Sequence, residues 1–330
     1  MYDAFIQAGH EVELLEGQQN RPRERTKKIR RIVSWLKTNR PDICYIEPPS
    51  GPVFHAADIR LIRKVSKMGV PIALFYRDAH WLYADWWGVT GAKAILLKAM
   101  HKRDIKAFQK YCDVIYFPSR SMAALFHGYR FKHTDVLPPA CEKSRKPNDT
   151  VFGRMIYVGG IRPAYGTDIL LSAFRRLHEM GRKVELYLVC REAEMANLKG
   201  EGYDDSWLKV FHAEGKELTS LYSCCDAGLI PLRRDRYMDF AIPIKLFEYL
   251  ENGLPVIATD CTEVKKFVQT NGCGIVCQDR PEVLAQAIAQ FYDQAADRAA
   301  MIKNVSHTAS SNRWIDRADK VVKDLSQFLS

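Results

Sequence analysis

IPIKLFEYLENGLPVIATD, residues 242–260, reads as a helix that passes through a glycine into an apolar strand. Lys245 and Glu248 stand three apart and share one helical face, while Leu246, Phe247 and Leu250 can turn to a core. Pro243 is tolerated in a first turn, Gly253 marks the stop, and PVIA (255–258) is the strand. The same alternation recurs on both sides. Upstream, RMIYVGGIRPAYGTDILLSAFRRL (154–177) gives strand, glycine loop and helix. VELYLVC (184–190) and AGLIPL (227–232) add strands, and KELTSLYSCCD (216–226) a helix. Downstream come a helix near 263–270, the strand GCGIVC (272–277) and a helix from about 281. The N-terminal part opens on a helix end at 1–8, a turn with a strand in GHEVELLE (9–16), and a basic helix within 21–37. Strands at 42–47, 70–78 and 113–119 then alternate with helices near 55–68 and 91–110. The pattern predicts an α/β protein with parallel sheets and crossover helices.

At 330 residues the chain exceeds one ordinary core, so two domains are expected. The connector from TDVLPP (134–139) through CEKSRKPNDT (141–150) has proline, charge and no apolar period. The expected division is 1–147, 148–310 and a terminal helix in 311–330 that could cross back to the first domain. No apolar run reaches the ~18 residues that span a bilayer. Nine cysteines occur without a CxxC pair, and buried reduced thiols are expected rather than a zinc set or disulfide framework. The net charge of +10 suits an acidic partner such as a nucleotide sugar or an anionic membrane face. Nucleic acid has only charge in its favour, and no nucleic-acid motif is present.

Chemistry concentrates in three places. A helix start with free N–H groups and Lys245 suits a diphosphate, and Glu248 can accept hydrogen bonds from ribose hydroxyls; the bland alternative is a solvated Lys/Glu pair. In the glycine loop Gly159, Gly160 and Gly166 allow close backbone approach and Arg162 can meet a phosphate. The loop is not GxGxxG, so a dinucleotide is not supported. In the N-terminal half RDAHWLYADWWG (77–88) follows a strand, where Asp78 or His80 could take a proton from a hydroxyl acceptor. A helix cap and a satisfied loop histidine are their plain alternatives. Trp81, Trp86 and Trp87 with Tyr83 could form an acceptor surface, a membrane-interface anchor or buried packing. The basic helix sets Ile29, Ile32, Val33 and Leu36 on one side, so it could lie on anionic lipid or face a core. No DxD triplet occurs; neither a metal nor a cofactor is expected.

Taken in order, YVGGIRPAYGTDILLSAF, VFHAEGKELTSLYSCCDAGLIPL, PIKLFEYLENGLPVIATD and the late Trp314 carry a resemblance. Nearly all of 151–320 resembles the donor half of the retaining GT-B glycosyltransferases of glycosyltransferase family 4. The N-terminal half is similar in layout through GHEV, RPDICYIEPP and FYRDAHWLY, and resembles bacterial enzymes that make cell-surface polysaccharides. The resemblance implies two Rossmann-like domains facing a cleft, with a nucleotide sugar on the second and an acceptor on the first. It implies transfer with retention from a UDP-sugar, or less readily a GDP-sugar, to a glycan or lipid-linked hydroxyl. The implied location is cytoplasmic, possibly peripheral on the inner membrane face.

By this resemblance Glu248 matches the second glutamate of the family's paired-glutamate motif and Lys245 its diphosphate lysine. Gly160, Arg162, Gly166, Ile244 and Leu246 join them in the implied donor site, with Asp78, His80 and Lys245 in the chemistry. The chain also departs from the pattern. Tyr165 stands where a lysine usually precedes Gly166, and Phe240 where the first glutamate belongs, leaving Asp235 or Asp239 as substitutes. The family's opening strand and glycine loop do not precede residues 1–8, which implies a misplaced start or a fragment. The rivals are a non-catalytic GT-B subunit partnering an active enzyme, a GT-B sugar epimerase and a nucleic-acid-binding protein.

Overall fold

The computed structural model describes residues 1–18, 20–145, 150–198 and 206–329. The chain divides into two compact units, Met1–Pro138 with Trp314–Ser330, and Pro139–Arg313. The sequence pointed to boundaries at 147/148 and 310/311. The first division falls earlier and the second later, because Cys141 N–H donates to Asn312 O at 2.8 Å and Arg145 N–H to Glu251 O at 2.9 Å, both inside the second unit.

In the first unit β1 (Cys44–Ile46), β2 (Ile72–Phe75), β3 (Val114–Phe117) and β4 (His133–Val136) form a parallel sheet in that order. Its helices are α1 (Tyr2–Gln7), α2 (Pro22–Trp35), α3 (Ala56–Lys67), α4 (Ala84–Trp87), α5 (Gly91–Tyr111) and α6 (Arg120–Ala124). IALF and VIYF are almost wholly buried, as expected of central parallel strands covered on both faces. The strand read in 9–16 is absent. Arg31 instead pairs with Glu13 at 2.7 Å and donates to Leu14 O at 3.0 Å, so side-chain contacts replace a ladder there. The expected basic face on α2 is partly neutralised, with Arg25 held by Asp58 at 2.6 Å and Ile29 and Ile32 buried.

The second unit holds β5 (Arg154–Val158), β6 (Glu185–Val189), β7 (Leu208–Phe211), β8 (Ala227–Ile230), β9 (Val256–Thr259) and β10 (Gly274–Cys277). Its helices are α7 (Thr167–Glu179), α8 (Gly215–Tyr222), α9 (Ile244–Glu251), α10 (Thr262–Asn271), α11 (Pro281–Asp293) and α12 (Ala295–Ser310). All pairings are parallel and the order is β10-β9-β8-β5-β6-β7. The chain therefore grows from β5 to one side and resumes at β8 on the other. The crevice between these two strand ends is the switch point where doubly wound sheets bind ligands.

The last helix, α13 (Trp314–Ser326), belongs to the first unit. Its Ala318, Val321 and Leu325 are fully buried in the cluster that includes Ala73, Val114 and Tyr116. The nine cysteines are all unpaired and seven are buried.

Candidate functional site

At the switch point β5 ends on Val158, and Gly159 and Gly160 follow. Tyr249 of α9 ties the two central strands together: its hydroxyl accepts from Val158 N–H at 3.0 Å and donates to Leu229 O at 3.3 Å. That anchor carries Lys245 over β5. Its Nζ lies 4.1 Å from the centroid of the Tyr157 ring, and a Cβ on Gly159 would meet that nitrogen at 3.2 Å. Among the described residues the Lys245 ammonium has neither an ion pair nor a hydrogen bond, and cation–π attraction is its compensation. Burial pulls its pKa down to about 7, against the pull of Glu248.

Glu248 lies one turn on, half-buried, with the Tyr222 hydroxyl 3.5 Å from Oε2. Burial raises its carboxyl above the usual range, and Glu251 adds to the rise; the Tyr222 hydroxyl and Lys245 oppose it. Both groups of the pair are thus held partly desolvated, with hydrogen-bonding capacity left for a ligand.

The glycine loop is shaped by residues the sequence did not reveal. Tyr157 donates to Gly160 O at 2.7 Å, Glu194 Oε2 accepts Ile161 N–H at 2.5 Å, and Asn197 donates to Ile161 O at 3.0 Å. A side chain on Gly160 would sit 2.9 Å from the Glu194 carboxylate. Arg162 is exposed, makes no ion pair among the described residues, and lines a cavity of about 430 Å³ with Thr167, Asp168 and Asn197. Lys245 and Glu248 do not line that cavity. Gly166 adopts φ +71°, and a Cβ there would fall 1.5 Å from Pro231 O, so chain packing alone requires a glycine. Ile244 is 61% exposed. Leu246 is a correction: its side chain is fully buried and its N–H donates to Pro243 O at 3.1 Å, leaving it no surface for a ligand.

Neither suggested stand-in for the missing first glutamate is free. Asp235 Oδ1 accepts Tyr237 and Met238 N–H, each at 2.7 Å. Asp239 pairs with Arg234 at 3.1 Å and accepts Thr262 N–H at 3.0 Å. Phe240 is buried against Tyr237.

In the first unit Asp78 and His80 follow β2. Asp78 Oδ1 accepts His80 N–H at 3.0 Å, the cap role set beside catalysis in the sequence, while Oδ2 lies 3.2 Å from His80 Nδ1 without hydrogen-bond geometry. Trp81 is buried, donating to the Tyr76 hydroxyl at 2.9 Å and stacking on His101 at 4.7 Å, so it is packing rather than surface. His101 was missed by the sequence reading. Burial, with His80 nearby, pushes its pKa down to about 4, and its Nε2 has no partner.

Two parallel α/β units give the chain the two-Rossmann-like-domain GT-B fold, with Lys245 and Glu248 at the switch point of the second. Within the second unit, residues 153–294 match the family model described as Glycosyl transferases group 1. Over 102 residues the chain is 28% identical to TuaH of Bacillus subtilis (strain 168), named as a candidate teichuronic acid biosynthesis glycosyltransferase. That stretch covers 30% of this chain and only 26% of the relative's length. Anabaena Alr3699/HepE in complex with UDP superposes with a TM-score of 0.67 at 14% identity, covering 99% of this chain and 89% of its own. Sucrose-phosphate synthase from Thermosynechococcus elongatus gives 0.66 at 14% identity, covering 96% and 81%. The pneumococcal O-GlcNAc transferase GtfA in complex with UDP and GlcNAc gives 0.65 at 12% identity, covering 96% and 61%.

Proposed function

We propose that the chain is a retaining glycosyltransferase of the family 4 kind. It moves a sugar from a nucleotide sugar, a UDP-sugar first, to a hydroxyl of a glycan or lipid-linked acceptor in cell-surface polysaccharide synthesis. The observation that carries this reading is Lys245: a half-buried ammonium without an anionic partner, held beside the glycine loop one turn before Glu248. UDP is favoured because two of the structural relatives are described in complex with it.

The hard step is departure of the diphosphate as its negative charge grows. Lys245 in its protonated form, Arg162 and the uncapped first turn of α9 are positive groups suited to that charge. Glu248 takes the ribose hydroxyls. On the acceptor side Asp78 or His80 assists removal of the hydroxyl proton.

The test is a calorimetric titration of the chain with UDP and GDP, with Glu248→Ala alongside. Saturable UDP binding is expected, weakened by roughly ten- to a hundredfold in the variant, since charge-assisted hydrogen bonds contribute about 1.5–3 kcal/mol each. A folded chain that binds neither nucleotide sinks the proposal. Phe240 supports a second reading, a non-catalytic partner subunit, because no carboxylate stands at the first position of the paired motif. UDP binding without turnover of any UDP-sugar is the outcome that would favour it.

A further inference from the structure

On α5 an apolar stripe faces outward. Ala92, Ile95, Leu96 and Ala99 follow the i, i+3, i+4, i+7 spacing that gathers side chains on one helix face, the face a globular protein ordinarily buries. Here all four are exposed, Ile95 at 73% and Leu96 at 62%. The buried residues of α5 begin only at His101 and continue with Asp104, Ile105 and Phe108. The helix from 91 to 100 therefore holds no buried side chain, although most of its residues are apolar.

The charge around this stripe has one sign. From Trp86 to Arg103 there is no Asp or Glu, while Lys93, Lys98 and Lys102 are present; Arg103 beyond them is paired with Asp104 at 2.7 Å. Among the described residues Lys93 and Lys102 have no ion pair, and Lys98 lies 5.7 Å from the Trp87 ring centroid. On α2, Arg25, Lys28 and Arg31 are matched by Asp58, Glu24 and Glu13, while Arg23, Lys27 and Arg30 have no ion pair among the described residues; what α2 lacks is an exposed apolar stripe, since its Ile29 and Ile32 are buried.

We infer that the first half of α5 is a membrane-interface anchor whose partner is an anionic bilayer. An exposed apolar stripe asks for an apolar medium, and an unopposed lysine fringe asks for negative charge at the border of that medium. An anionic bilayer supplies both within the depth an interfacial helix reaches. A soluble polyanion supplies only the charge, and a second copy of this chain would set lysine against lysine. The anchor lies flat rather than across the membrane, as no described helix is long and apolar enough to span it. This inference stands on α5 alone and does not depend on nucleotide binding.

The test is co-sedimentation of the full chain with phosphatidylcholine vesicles, with and without phosphatidylglycerol. The chain should follow the anionic vesicles preferentially, and raising the salt to about 0.5 M should weaken that binding. Ile95→Ser with Leu96→Ser should lower partitioning at least about tenfold, and Lys93→Glu with Lys102→Glu should abolish the preference for anionic vesicles. All four positions are exposed, so thermal melting and UDP titration of both double variants should match the parent chain. Undiminished vesicle binding by the serine pair overturns the inference. So does binding that responds only to Arg23→Glu with Lys27→Glu on α2, or a dimer without vesicle binding that the serine pair dissociates.

Discussion

Lys245 is desolvated without receiving a carboxylate at salt-bridge distance, and this puts its charge under pH control. Its pKa is lowered from 10.5 to about 7, burial being the larger cause and Glu248 the smaller, opposing one. A diphosphate must bind the protonated form, so UDP affinity should fall as pH rises from about 7 to about 9, by up to roughly tenfold per unit. Lys245→Arg, whose guanidinium does not titrate there, should flatten the profile, and an equally steep profile in that variant would remove Lys245 from the grip. The same shift acts on stability with a definite sign. Between about 7 and 10.5 the unfolded chain holds a proton at this position that the folded chain does not, so stability should rise with pH across that window. Lys245→Met should remove that rise, as read from melting temperatures at several pH values. In the proposed catalysis, Lys245→Ala deletes a donor that would stabilise the leaving diphosphate. A loss of about 3–4 kcal/mol in barrier, roughly a hundredfold or more in kcat, is expected from steady-state rates.

The strands and α9 set the position of that lysine, and Tyr249 is the joint between them. Its hydroxyl satisfies a part-buried backbone N–H of β5, so Tyr249→Phe removes the partner of Val158 N–H. The expected cost is about 1–3 kcal/mol by denaturant unfolding, with weaker UDP binding because α9 loses its tie to β5. Unchanged stability would mean that the hydroxyl is dispensable. Elements of this kind were legible in the sequence wherever burial imposed a period: Leu246, Phe247 and Leu250 announced α9, and VIYF and IALF announced central strands. β4 was not legible, because HTDV is a largely exposed edge strand whose polar residues read as a connector. GHEVELLE alternates like a strand, but Arg31 claims its carboxylate and carbonyl. The cation and carboxylate of the donor grip could be read from spacing on one helix. Tyr157, Glu194 and Asn197 could not, since their contacts with Lys245 and the glycine loop arise only when β5, α9 and the segment after β6 are brought together. For α5 the period revealed a helix but not which side would be covered.

Across the whole molecule the proposed donor grip, Lys245 with Glu248, and the proposed acceptor-side pair, Asp78 with His80, belong to different units, so substitutions should separate their effects. Asp78→Ala or His80→Ala should depress transfer to acceptor while UDP affinity holds, and normal transfer in both variants would leave that cluster without a chemical role. The first unit is closed by a segment from the far end of the chain. Leu325 of α13 is fully buried in a cluster whose members, among them Ala4, Phe5, Val114 and Leu137, all lie in the first unit. The Tyr116 hydroxyl donates to Asp324 at 2.7 Å beside it. Removing the leucine's branched end leaves a cavity among residues from α1, β2 and β3, which cannot collapse without disturbing strands paired on both sides. Leu325→Ala should therefore cost about 2–5 kcal/mol in unfolding of the first unit. Among the described residues the second unit contributes no side chain to that cluster, so below the transition UDP affinity should stay within about twofold of the parent value, less than the change that ~0.5 kcal/mol would produce. A comparable loss in UDP binding and in stability would show that α13 supports the nucleotide site as well as the fold of the unit it closes.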